Sequence, residues 1–253
     1  MPDFDEYIKD VDLNTLLTGL DPPYAETVMS QVRYFTEKEA EDRDRIVLSY
    51  FGEEGVKRIV DTVIEYLLSP PELREDARIL DVGAGTGFFT VRIADEIRKY
   101  VPGALFYAMD ITPAMLRVLT RKTSEITCFL GLAEDIVRAL KYAKRFMDVP
   151  EKFDAAFSIL TLHHCLNIEN VFKSMRKILN RQGKAVVVDL CEHPFEEFRE
   201  EMGDIHLGFK PEFVKKAAEK FFSRVSIRKM PGICCECSGR SAELFVAYLI
   251  ASD

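Results

Sequence analysis

The sequence predicts an α/β fold: a seven-stranded, mostly parallel sheet with helices on both faces and an antiparallel last strand. Three observations lead there. From Arg78 onward, short β-rich runs alternate with amphipathic segments, the pattern of strands linked by helical crossovers. Apolar residues make up 47% of a 253-residue chain, enough for one continuous core. The last two β-rich runs are separated only by Pro231 to Ser241. A parallel crossover takes a dozen or more residues, so the final strand should run against its predecessor.

In chain order, residues 1–75 read as a helical extension of the same domain, and 76–253 as the sheet domain itself. "YFTEKEAEDRDRIVLSYF" and "EEGVKRIVDTVIEYLL" carry apolar residues at three- and four-residue spacing, and "SPPEL", with Pro70 and Pro71, closes the region. Strands are expected at "ARILDVG", "ALFYAMDI", "ITCFLGL", "FDAAFSIL" and "KAVVVDL", with helices such as "FFTVRIADEIRKY" between them. There Phe89, Ile93 and Ile97 repeat every four residues. "SRVSIRKM" and "AELFVAYLIAS" complete the set as a pair joined by the cysteine stretch.

Charge and hydropathy narrow the function classes. Against 42 acidic residues stand 34 Lys plus Arg, so no strongly basic surface for a phosphate backbone is expected, and no nucleic-acid partner. The longest apolar run, Leu244 to Ala251, is too short to cross a bilayer, and "MPDFDEYIKD" lacks the charged-then-apolar order of a signal peptide. These features predict a cytoplasmic protein without a membrane partner. In that reducing compartment the six cysteines read as thiols, metal ligands or redox groups before structural disulfides.

The chemistry concentrates in "LDVGAGTGFFT", where Gly83, Gly85 and Gly87 alternate between a strand and its helix. Such a loop lets a ligand approach the backbone, and the helix behind it aims N–H groups and its positive dipole end at the same place. A dinucleotide fingerprint wants G-x-G-x-x-G, but here the third glycine comes one residue early, and Asp81 precedes the first by two. That spacing weakens a nicotinamide-dependent oxidoreductase as the alternative.

From Ile79 to Leu249 the chain resembles the class I S-adenosylmethionine-dependent methyltransferases, a Rossmann-like family whose first motif is an acid followed by alternate glycines. The resemblance implies that Gly83, Ala84, Gly85 and Gly87 support the methionine and ribose part of the donor. It also implies that Asp81 helps to place the donor's amino group, often through water. Asp110, at the tip of "FYAMDI", would accept the two ribose hydroxyls, and Ile111 would line the adenine pocket. In "GLAED" the family's adenine contact falls on the Ala133 N–H and on Glu134, although Leu132 stands where an acid is common. Ser158 would meet the donor's amino-acid end. S-adenosyl-L-homocysteine would be the product.

"SILTLHHCLNIENVF" is similar to the "LHH" of small-molecule members near the ubiquinone-type enzymes. It makes His163 and His164 candidate proton acceptors, with helix capping and packing as the alternative. "CEHPFEEFREEMGDIHLGFKPEFV" has the layout of a methyltransferase group related to arsenic-type repressors, with an acid at the strand end, a following His and a His-Leu-Gly-Phe segment, here His206 to Phe209. Cys191, Cys234, Cys235 and Cys237, joined by Cys165, are candidates for a thiolate site holding zinc or a metalloid substrate such as trivalent arsenic. A cysteine-bearing surface hairpin is the alternative. The acceptor is expected to be a small molecule, with Tyr34 and Phe35 lining a helical lid. A non-catalytic S-adenosylmethionine-binding sensor or assembly partner is the alternative from a different class.

Overall fold

The computed structural model describes residues 4–251; residues 1–3 and 252–253, the ends of "MPDFDEYIKD" and of the sheet domain, lie outside the described residues. Four helices come first: α1 (Phe4–Asp10), α2 (Leu13–Leu17), α3 (Pro22–Tyr34) and α4 (Glu37–Leu68). Their starts are written locally, since the Asp12 carboxylate accepts the Asn14 N–H, Pro22 opens α3, and the Thr36 hydroxyl accepts the Glu39 N–H. α4 is interrupted at Gly52, where φ is +64°, the residue that separates the two amphipathic runs of the sequence.

The sheet domain continues with β1 (Arg78–Val82), α5 (Phe88–Tyr100), β2 (Leu105–Asp110), α6 (Pro113–Lys122), β3 (Ile126–Leu130), α7 (Ile136–Ala143), β4 (Phe153–Ile159), α8 (Ile168–Ile178) and β5 (Leu179–Leu190). It closes with α9 (Glu197–Met202), α10 (Pro211–Ala218), β6 (Arg224–Cys237) and β7 (Arg240–Ile250). One seven-stranded sheet results, in the order β3-β2-β1-β4-β5-β7-β6. β1, β2, β3, β4 and β5 pair parallel, and β7 pairs antiparallel with both β5 and β6. Only β7 is therefore reversed. β1 lies between β2 and β4, so the chain leaves it in opposite directions, which opens a crevice at the carboxyl ends of the strands.

Two boundaries differ from expectation. β5 begins at Leu179, five residues before the anticipated Lys184, with a register break against β4 between Phe153 and Ala155. The cysteine stretch is strand rather than connection. β6 passes through a register break between Met230 and Cys234 and keeps pairing to Cys237. The turn is only Ser238-Gly239, at φ +47° and +73°. Positive φ at both central residues is the two-residue hairpin geometry that matches strand twist.

The helical extension is packed onto this sheet. α4 contacts α5, α6, β5 and β6. At its far end the buried Lys184 amine donates to the Leu67 carbonyl, 2.7 Å away, and to that of Ser69. Among the described residues, no helix is long and apolar enough to cross a membrane.

Candidate active site

A cavity of about 140 Å³ lies at the carboxyl edge of the sheet. Its floor is Gly83, Gly85, Asp110 and Ile111, one wall is Ala133 and Glu134, and another is Thr161, His164 and Cys165. Val28 and Gln31 of α3, with Phe35 and Arg43, cover it. A larger cleft of about 580 Å³, beside α1 and the β3 edge, is lined by residues such as Asp5, Glu37 and Arg117 and by none of the candidate site residues. Of the two, the smaller space is the one that candidate site residues line.

The glycine loop is pressed at Gly83 and open at Gly85. At Gly83, φ is +77° and a Cβ would sit 2.2 Å from the Thr161 side chain, so the loop after β4 presses directly on that backbone. At Gly85, φ is +53° and a Cβ would meet nothing within 4 Å, so this position faces open space. The Gly83 and Ala84 N–H groups both donate to the Met109 carbonyl, locking the loop to β2. Gly87 directly precedes α5.

Asp110 completes that construction. Its Oδ2 accepts the Gly85 N–H and its Oδ1 accepts the Thr112 N–H, each at 2.8 Å. The Thr112 hydroxyl and the Ile111 N–H also bear on the same carboxylate. Burial raises the Asp110 pKa, against the N–H bonds from Thr112 and Gly85 that favour the anion. Asp81 is more deeply placed, 3% exposed and absent from the cavity wall, with its Oδ2 accepting the Thr90 hydroxyl at 2.6 Å. Burial pushes its pKa up to about 7.

Glu134 links the cavity to its cover. It accepts the Tyr24 hydroxyl of α3 at 2.8 Å and the Leu166 N–H at 3.0 Å, while its neighbour Asp135 caps α7 by accepting the Arg138 N–H. Ala133 and Ile111 do line the cavity. Ser158 does not: it is buried, and its hydroxyl donates to the Val82 carbonyl at 2.7 Å, tying β4 to β1. The wall it was expected to supply comes from Leu160 and Thr161. Leu160 adopts φ +57°, a left-handed conformation uncommon for a branched side chain. Of the two proposed lid residues, Phe35 covers the cavity, whereas Tyr34 lies aside and donates to the Glu201 carbonyl at 2.7 Å.

The histidine pair divides. His164 lines the cavity, edge-on to Phe35 with ring centroids 5.6 Å apart. Burial, then the neighbouring His163, hold its pKa well below the ordinary value, so it is neutral. His163 is fully buried and does not reach the cavity, which corrects its reading as a group meeting substrate. Its Nδ1 lies 2.7 Å from Asp189 Oδ1, and Asp189 Oδ2 accepts the N–H groups of Thr161 and Leu162 at 3.0 and 2.8 Å. On its far side, His163 Nε2 faces Asp204 Oδ1 at 3.6 Å. Burial alone would lower the His163 pKa, but the two carboxylates, Asp189 foremost, raise it.

The cysteines do not assemble. Among the described residues, one group of three or more His, Cys, Asp or Glu side chains is close enough to share a metal ion, and it is His163, His164 and Asp204. Cys191, Cys234, Cys235, Cys237 and Cys165 form no such set, which corrects the expected thiolate site. The reason is strand geometry: Cys235 and Cys237 are buried and Cys234 alternates to the other face of β6. Each buried thiol also has its own surroundings. Cys237 donates to Glu201 Oε2, Cys165 donates to the Thr161 carbonyl, and burial pushes Cys191 up to about 11 and Cys237 to about 12. Such thiols stay protonated. Asp189 is the acid at the strand end of "AVVVDL", whereas Asp204, which the sequence did not single out, had one signal, an acid two residues before His206.

The space above Gly85 is open, and comparisons with known proteins identify the family. A methyltransferase-domain family model matches residues 73–227. The chain is 25% identical over 189 residues to the malonyl-[acyl-carrier protein] O-methyltransferase of Geobacter sulfurreducens, covering 75% of this chain and 64% of that protein. It is 27% identical over 166 residues to the biotin biosynthesis bifunctional protein BioHC of Cellvibrio japonicus, covering 62% of this chain and 29% of that one. A third relative is the ubiquinone/menaquinone biosynthesis C-methyltransferase of Rhizobium meliloti, 27% identical over 140 residues, with coverages of 54% and 50%. The chain thus spans between 29% and 64% of the length of these curated relatives. Among solved structures, the Haemonchus contortus phosphoethanolamine N-methyltransferase 2 in complex with S-adenosyl-L-methionine superposes with a TM-score of 0.60 at 14% identity, over 87% of this chain and 58% of that one. The N-methyltransferase NodS of Bradyrhizobium japonicum, in complex with S-adenosyl-L-homocysteine, gives 0.52 at 16% identity, over 78% and 87%. These structural likenesses speak for the fold, whereas the family model spans more than half of the sequence; the chain belongs to the methyltransferase-domain family.

Proposed function

We propose that this methyltransferase modifies a small-molecule acceptor inside the cavity covered by its N-terminal helices. The observation that carries the reading is the cover itself: Val28, Gln31, Phe35 and Arg43 close the space above Gly85 and Asp110. A macromolecular acceptor would need that side open. At about 140 Å³ the space is smaller than the roughly 300–1,000 Å³ of ordinary ligand sites, which supports a cover that opens to admit donor and acceptor. The cover is held by apolar contact of Leu17 and Val28 with Leu132 and of Ala40 and Phe35 with Met115, and by polar ties. Tyr24 donates to Glu134, Gln31 Nε2 to the Gly203 carbonyl at 3.1 Å, and Thr86 of the glycine loop to Asp44 of α4 at 2.6 Å.

In this reading Asp110 accepts the ribose hydroxyls, Gly85 leaves room for the donor close to the backbone, and Ile111 and the Ala133 N–H meet adenine. Asp81 acts from beneath the loop on the donor's amino end, through water. Glu134 already holds Tyr24, so it couples the cover to the donor pocket. The bound donor supplies a methyl group on a sulfonium whose leaving group is a neutral thioether. What remains for the protein is to align the acceptor and exclude water, and both tasks fall to the closed cover. His164, neutral at the cavity wall, faces the acceptor side.

Calorimetry with S-adenosylmethionine, S-adenosylhomocysteine and a nicotinamide dinucleotide tests the donor. Binding of the first two and not the third is expected; tight dinucleotide binding with no response to S-adenosylmethionine overturns the assignment. Acceptor class is read by incubating the protein and labelled donor with cell extract. Label confined to the small-molecule fraction is expected, and label in protein or nucleic acid removes the small-acceptor proposal.

A further inference from the structure

Asp204, in the loop between α9 and α10, is 4% exposed, and neither of its carboxylate oxygens has a hydrogen-bond partner. Two more buried atoms beside it are equally unpartnered, His163 Nε2 and His164 Nδ1. One ligand atom from each of these three residues lies within 4.8 Å of the others. Leaving one such atom unpaired costs about 1–3 kcal/mol, and four converging on one point is an arrangement a folded chain keeps only when something satisfies them.

Hydrogen bonding within the cluster does not. The His163 Nε2 to Asp204 Oδ1 separation of 3.6 Å is too long for a hydrogen bond. It is close to the roughly 3.4 Å that separates two ligand atoms each about 2.1 Å from a tetrahedral metal ion. The histidines are also oriented as ligands. Asp189 sits on His163 Nδ1 at 2.7 Å, which turns Nε2 toward Asp204. Asp189 is itself fixed by the Thr161 and Leu162 N–H groups, the carboxylate–histidine support typical of metal-binding imidazoles. A hydrogen bond to the Gly203 backbone holds the His164 ring and leaves its Nδ1 inward.

We propose that His163 Nε2, His164 Nδ1 and the Asp204 carboxylate form a binding site for a divalent first-row transition ion, with Asp189 as the supporting acid. Two imidazoles and one carboxylate suit zinc or iron(II) and leave coordination positions open. His164 lines the donor cavity as well, so the ion adjoins the space proposed for the acceptor and can take a lone pair from an acceptor oxygen, nitrogen or sulfur in place of its proton. The site stands on its own geometry; that last role rests on the proposed methyl transfer.

Full-length protein, reduced and purified without a histidine tag, is titrated with zinc against a chromophoric chelator. One zinc per chain is expected, with affinity reduced at least tenfold in Asp204→Asn and in His163→Gln and less steeply in Asp189→Asn, at unchanged circular dichroism. The combined Cys234→Ser, Cys235→Ser and Cys237→Ser variant keeps the wild-type affinity. Should the histidine and aspartate variants fold poorly, X-ray absorption at the zinc edge of the wild type decides: nitrogen and oxygen neighbours support the site and sulfur neighbours overturn it. Failure of wild-type protein to bind zinc, cobalt(II) or iron(II) also overturns it. Donor calorimetry on the same samples keeps the two readings apart, since intact donor binding without metal binding removes only the metal site, and metal binding without donor binding removes only the methyl-transfer reading.

Discussion

Asp110 and Asp204 are carboxylates at the same edge of one sheet, held in opposite ways. Asp110 ends β2, and the backbone of its own neighbourhood satisfies it, with Gly85 and Thr112 donating their N–H groups. Asp204 sits in a loop more than ninety residues further on, and no group donates to either of its oxygens. The first half of the site is therefore held by backbone donors of its own neighbourhood. The second half is built from side chains that three separate segments bring together, and it makes sense only with a further partner. Changes at the two carboxylates and around the loop should separate these modes.

The largest effect is expected at Gly85. Valine there must adopt the left-handed φ of +53°, a strained state for a β-branched residue, and its side chain would project into the cavity. Because an added Cβ meets nothing within 4 Å, the fold should persist while donor affinity drops at least a hundredfold, roughly 3 kcal/mol. Calorimetry below the melting temperature checks this, and normal binding by Gly85→Val would break the assignment of the glycine loop.

Asp81 offers a pH signature. Its carboxyl is pushed up to about 7 by burial, with the Thr90 hydroxyl opposing and Asp110 adding to the shift. In the unfolded chain it titrates near 4. Between those values the folded state holds a proton the unfolded state has released, so ligand-free stability falls as pH rises through the window and levels off above about 7. The loss across that window is on the order of 4 kcal/mol. Asp81→Asn should abolish this part of the slope and be the more stable protein at pH 8. Denaturant titrations of both proteins at pH 5 and pH 8 measure it; parallel pH profiles would show that Asp81 is not the group responsible.

Asp110→Ala is expected to weaken donor binding by about 1.5–3 kcal/mol, the scale of hydrogen bonds to a charged group. Because two backbone N–H groups depend on the same carboxylate, melting temperature should drop too. Asp110→Asn, which keeps an acceptor oxygen, should recover most of the stability and less of the affinity. Equal recovery of both would mean that the acid holds the loop and never meets the donor.

How much of this was legible follows from the same contrast. The strand runs, the alternate glycines, Asp110, Ile111 and Ala133 were readable because each lies within a few residues of its partners and strand–turn–helix geometry fixes where they point. The reversed β7 followed from connection length alone. The cysteine site misled because three thiols adjacent in sequence suggest a cluster, whereas in a strand neighbours point to opposite faces and Cys234 parts from Cys235 and Cys237. The group that does converge draws on His163 and His164 after β4 and Asp204 after α9, with Asp189 at the end of β5 behind it. No spacing rule relates those positions. A lone acid in the apolar run "AVVVDL" was one local hint, since a buried charge demands a partner.

Ser158 gives the smallest effect and the sharpest check on where the cavity ends. The family pattern turns this residue toward the donor, whereas its buried hydroxyl donates to the Val82 carbonyl at 2.7 Å, joining β4 to β1 just under the glycine loop. Ser158→Ala removes that bond and leaves no large void, so stability should fall by about 1 kcal/mol, the net worth of one buried hydrogen bond. The loop is held separately, by the Gly83 and Ala84 bonds to the Met109 carbonyl and by Thr161 against Gly83. Donor affinity should therefore stay within twofold of wild type. Chemical denaturation and calorimetry on one preparation read both quantities. A tenfold loss of affinity with unchanged stability would place Ser158 in the donor site and move the cavity floor from the loop into the sheet.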